Sequence, residues 1–91
     1  MKNNSRRKRI KFRRHTKGRL IERYEVAFND EDLKNMKKLI MLGKTKIIKA
    51  LSNSRTIHEV FYKDLNILVI YNKQYKEIAT ALEHRSQEDT L

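Results

Sequence analysis

Ninety-one residues make one domain, just above the size below which a core usually needs disulfides or a bound metal. The chain has no cysteine, which excludes a disulfide framework and a thiolate zinc site and fits a reducing, cytoplasmic setting. No apolar run approaches the ~20 residues of a membrane-spanning helix, and the basic N-terminus lacks the apolar stretch of a secretory signal, so no membrane role is expected.

The net charge of +11 is unevenly spread: residues 1–23 hold eleven Lys or Arg against one acid, Glu22, while the rest holds eleven bases against ten acids. A near-neutral body behind a polycationic front implies a polyanionic partner, with RNA or a DNA backbone ahead of an anionic membrane surface. Residues 1–12 show no apolar periodicity through Arg9 and are expected to form a disordered basic arm. Arg6, Arg7, Lys8, Arg9, Lys11, Arg13, Arg14 and Lys17 are the candidate phosphate contacts, each of which would steepen the salt dependence of binding.

From about Arg13 to Ala27 the chain reads as a first helix with Leu20, Ile21 and Tyr24 as its apolar stripe. Gly18 opposes that reading by about 1 kcal/mol. The competing reading is a hairpin, RIKFRRH–TKG–RLIERYEVAF, whose alternation Glu22 breaks. In the helical reading His15, Arg19, Glu22 and Arg23 fall at i, i+4, i+7 and i+8 and share one side. A group titrating near neutrality, two cations and a carboxylate on one face match a phosphodiester acid–base site. They equally match a solvated helix face.

Asn29-Asp30-Glu31-Asp32 is a strong helix start, with a side chain able to cap free amides and acids at the positive end of the dipole. Leu33, Met36, Leu39 and Ile40 follow at helical period, and Gly43 is placed to close the helix at C′. After Gly43 the period changes to 2. KIIKAL (46–51) reads as a short strand or a frayed turn, TIHEVFYK (56–63) as a strand, ILVIY (67–71) as a central strand, and EIATAL (77–82) as the last. The expected fold is α+β: two N-terminal helices packed on a three- to four-stranded antiparallel sheet. It would form a single domain over 13–84, followed by a polar tail over 85–91. No P-loop, dinucleotide glycine pattern, HExxH or clustered carboxylates occur, so no metal and no cofactor is expected.

The ordered set His15, Arg19, Arg23-Tyr24, then Asp32-Leu33, Leu39-Ile40, Gly43-Lys44, then Ser54-Arg55, Glu59-Val60, Tyr62, then Val69-Ile70-Tyr71-Asn72-Lys73, Lys76, Ile78, Thr80, Leu82 resembles a known family. It looks like the small phage and mobile-element members of the barnase/EndoU/colicin/RelE-like nuclease superfamily. The resemblance spans roughly residues 14–82. Two positions depart from it: Glu25 stands where members carry glycine after the Arg-Tyr pair, and Asn72 stands where the RelE-type strand pair has aspartate. What the resemblance implies is a RelE-like fold and a metal-independent endoribonuclease, toxin-like or directed at host RNA, with polar residues such as Arg55 and Thr80 facing the helix.

Such a reaction needs a base for the 2′-OH, an acid for the 5′-oxygen and cations for the phosphorane. His15 suits either proton role, and Arg19 and Arg23 suit the phosphate. The candidate catalytic set is thus His15, Arg19, Arg23, Arg55 and Thr80. His58, alternating with Val60 and Tyr62, reads as a packed or edge-strand histidine rather than a catalytic one, and His84 lies just past the last strand. Tyr75, at a turn tip, is the tyrosine expected to be exposed. The alternatives are a non-catalytic nucleic-acid-binding or inhibitor protein on the same fold, and a protein whose N-terminal polycation docks an acidic host protein; an acidic inhibitor or antitoxin protein is the further partner expected.

Overall fold

A computed structural model describes residues 2–83, with side chains from residue 7 onward. The polar tail and His84 lie outside the described residues.

Helix α1 spans Lys2–Tyr24 and so begins well before Arg13. The stretch expected to be a disordered arm forms its first turns. Lys and Arg are good helix formers and no glycine or proline interrupts residues 6–17, a propensity that apolar periodicity does not register. Gly18 is exposed inside the helix, and a Cβ built on it would meet nothing within 4 Å. Its cost is therefore only the backbone penalty, and the structure adopts the helix rather than the hairpin. The helix ends at Tyr24 rather than Ala27 because Glu25 turns left-handed (φ 58°), its N–H donating to Ile21 O at 3.1 Å.

Helix α2, Asp30–Met41, is closed by local chemistry at both ends. Asn29 Oδ1 accepts from the Asp32 N–H (2.8 Å) and Asp32 Oδ2 accepts from the Asn29 N–H (3.0 Å), a reciprocal capping box. Gly43 (φ 73°) closes the other end, its N–H donating to Ile40 O while Lys44 N–H donates to Leu39 O. The Asp32 carboxyl is held below its ordinary pKa, first by the Asn29 amide and next by Lys63. It also accepts from Tyr62 OH at 2.8 Å, which ties this end of α2 to the sheet.

Strands β1 (Lys46–Ala50), β2 (Arg55–Tyr62), β3 (Leu65–Asn72) and β4 (Glu77–Leu82) form one antiparallel sheet in the order β1-β2-β3-β4. KIIKA is thus a strand, and the β2–β3 turn is only Lys63-Asp64, both at positive φ, with β3 starting at Leu65. Thr56, His58 and Val60 of β2 pair with Tyr71, Val69 and Ile67 of β3, and all six lie buried toward the helices. With Leu20, Phe28, Leu33, Met36, Ile40, Ile78 and Ala81 they enclose the interior. Ile70 pairs with Thr80 but Tyr71 pairs with Ile78, so Ala79 is an extra residue in β4. That bulge is what lets Ile78 and Ala81 both face the helices.

Candidate nucleic-acid interface

α1 docks through side chains one helical turn apart. Thr16 and Leu20 are fully buried, and Phe12 and Tyr24 are half-buried above and below them. Two of these residues satisfy backbone on the last two strands. Thr16 Oγ1 donates to Ile78 O at 3.0 Å, and Tyr24 OH donates to Leu82 O at 2.8 Å while accepting from Leu68 N–H at 3.0 Å. Ile21 departs from the expected apolar stripe, being 54% exposed.

The cations of α1 divide into two groups. Arg13 reaches the buried Glu77 carboxylate at 3.4 Å, which Lys37 also reaches at 3.3 Å; Lys17 reaches Asp30 at 2.8 Å; Arg19 reaches Glu22 at 2.8 Å. Arg7, Lys8, Arg9, Lys11, Arg14 and Arg23 are exposed, and among the described residues no salt bridge engages them. The side chain of Arg6 lies outside the described set. The upstream part of α1 therefore presents unneutralised charge on a rod, at ~1.5 Å of rise per residue.

The expected catalytic constellation is brought together only in part. Arg19 links its helix neighbours: its Nε donates to His15 Nε2 at 3.4 Å and its Nη1 to Glu22 Oε1 at 2.8 Å. Arg23 is exposed at the end of the same helix. Arg55, exposed at the start of β2, pairs with Asn72; Thr80, half-buried on β4, pairs with Ile70. Strand alternation puts both on the sheet face turned away from the helices, and no hydrogen bond or salt bridge among the described residues joins either side chain to α1. For Thr80 this follows from the bulge at Ala79; an unbroken strand would have put it on the face of Ile78.

His58 is buried as expected, its Nδ1 2.8 Å from Thr45 Oγ1 and its ring edge-to-face with Tyr71. Burial, and next the Lys73 charge, pushes its pKa down. Tyr75 is half-buried rather than exposed, because its ring packs edge-to-face on Phe12 with centroids 5.7 Å apart. The β3–β4 turn holding it is fixed by Asn72 Oδ1, which accepts from the Tyr75 N–H at 3.0 Å, and by left-handed Lys76 (φ 54°). Lengthened as a helix, α1 lays Arg7, Lys8 and Lys11 beside this tyrosine, and together they line a cleft of ≈ 370 Å³. That grouping escapes a sequence reading because it depends on residues 7–11 being helical.

Comparison with protein-family profiles, with curated proteins and with solved structures yields no match. No described helix is long and apolar enough to cross a membrane, and the described residues hold no cluster of three or more His, Asp or Glu able to bind a metal.

Proposed function

We propose that this protein binds nucleic acid, with helix α1 gripping the phosphate backbone and the rest of the domain serving as its mount. The observation that carries the reading is the set of exposed cations Arg7, Lys8, Arg9, Lys11, Arg14 and Arg23 on one continuous helix, engaged by no salt bridge among the described residues. Its electrostatics are those of counterion release. Each phosphate neutralised lowers the slope of log K against log salt by roughly 0.7 on single strands and 0.9 on duplex DNA. Six such contacts give a slope of about −4 to −5. The test is fluorescence anisotropy with labelled oligonucleotides over a salt series. Replacing Arg7, Lys8, Arg9 and Lys11 together by Gln should bring the slope toward zero by about 3. An unchanged slope would refute the role of α1.

A second reading is supported by the His15–Arg19–Glu22 chain and by the family resemblance: metal-independent cleavage of RNA. His15 would exchange the 2′-OH or leaving-group proton, and Arg19 and Arg23 would stabilise the phosphorane. Arg55 and Thr80 enter neither step, since they belong to the opposite sheet face. Incubation with labelled RNA in EDTA, wild type against His15→Ala, decides it: binding without cleavage by the wild type removes the enzyme. On either reading the protein works in a nucleic-acid-containing cytoplasm, and an acidic inhibitor or antitoxin protein is the partner that would mask α1.

A further inference from the structure

The cleft between the front of α1 and the β3–β4 turn points to a narrower ligand than nucleic acid in general. We propose that it seats an unpaired nucleotide of a single strand, its base on the Tyr75 ring and its flanking phosphates on Arg7, Lys8 and Lys11. The inference rests on the reading of α1 as a phosphate grip and adds a site for a base.

Three features of the molecule converge on it. The cleft is lined by Arg7, Lys8, Lys11 and Tyr75, so no carboxylate among its lining residues opposes an anion. Its ≈ 370 Å³ is at the lower end of the roughly 300–1,000 Å³ of small-ligand sites, room for one nucleotide but not for the width of a duplex. The aromatic wall is also held in position. Phe12 braces the Tyr75 ring at 5.7 Å and Asn72 holds its backbone, so a base would meet a surface whose ordering is already supplied by the fold. Bases inside a duplex are stacked on one another and cannot reach such a wall; bases of a single strand can, with little regard to sequence, because every base has a π-face. Lys73 and Lys76 are both exposed on the same turn as Tyr75.

The experiment measures anisotropy at one fixed salt concentration on four ligands: a ribo- and a deoxyribo-oligonucleotide single strand, the matching duplex, and a single strand with abasic positions. Tyr75→Ala should weaken both base-bearing single strands by roughly five- to a hundredfold, the range of base stacking on an aromatic ring, and leave the duplex and abasic strand unchanged. Tyr75→Phe should bind as wild type. Tyr75→Leu keeps apolar bulk against Phe12 and should lose affinity as Ala does, which separates stacking from packing if the Ala variant melts early. Equal affinity of wild type and Tyr75→Leu for the single strands overturns the base site. If the Arg7/Lys8/Lys11→Gln variant still loses binding in that case, the phosphate grip stands without it. A wild type that binds none of the four overturns both proposals.

Discussion

The two ends of α1 follow different physics. From Phe12 to Tyr24 the helix is held by the sheet: Leu20 is buried, and Thr16 and Tyr24 hydrogen-bond strand backbone. From residue 7 to Lys11 every side chain is exposed, and the ring of Tyr75 lies beside this end. The first part is stable because burial and hydrogen bonding outweigh the entropy of ordering it; the second continues the helix because its nucleus is already formed downstream. A cationic helix needs no partner to fold when it is the extension of a docked one. What the docked part contributes is stability, and what the free part contributes is charge.

The comparison breaks most readily at Leu20. Leu20→Ala removes a fully buried side chain at the centre of the docked face and should destabilise the domain by about 3–5 kcal/mol in urea or thermal unfolding. The loss should extend to the helicity of the front, since the front has no anchor of its own. A smaller break comes at Tyr24, whose hydroxyl both donates to Leu82 O and accepts from Leu68 N–H. Tyr24→Phe leaves both backbone groups short of a partner and should cost about 1–3 kcal/mol.

The same residue makes the docking depend on pH. Burial is the main cause raising the Tyr24 phenol above its ordinary 10.0. The unfolded chain therefore loses this proton at lower pH than the folded one. The contribution is fully present below pH 10 and is lost as pH rises from there through the raised folded value. Tyr71 is shifted the same way by its own burial, so the quantity to measure is the difference in melting temperature between wild type and Tyr24→Phe across pH 8–11. That difference should shrink above pH 10; a constant gap would mean the phenol proton plays no part in the docking.

How much of this was legible follows from where each signal is written. α2 is encoded within its own residues, by the Asn29–Asp32 box at one end and Gly43 at the other, and its extent is read from them directly. α1 is encoded in two ways: Leu20 and Tyr24 reveal the docked part, while the free part has good helix formers and no apolar period. The His15–Arg19–Glu22 contacts were readable because helical spacing alone sets them. The facing of Arg55 and Thr80 was not, because it depends on strand pairing and on the extra residue at Ala79. Glu25 lies between these cases. Its left-handed φ of 58° ends the helix, yet glutamate does not mark that backbone in the sequence as glycine would.

Two small substitutions sharpen the contrast. Gly18 lies within the docked segment but on its exposed side, with nothing within 4 Å of an added Cβ. Gly18→Ala should therefore stabilise the domain by about 1 kcal/mol and raise helicity by circular dichroism without touching the sheet. Arg9→Gln lies wholly in the free part, so its effect on stability should stay within about 0.5 kcal/mol in thermal melts. Its salt slope for oligonucleotide binding should nonetheless become shallower by roughly 0.7–0.9, the share of one phosphate contact. A variant that keeps its melting temperature while losing that slope is the signature of a helix whose front is ordered by the domain behind it but used by a ligand. Were Arg9→Gln to lower the melting temperature as much as Tyr24→Phe, the front would be part of the packed structure, and the distinction between the two ends would fail.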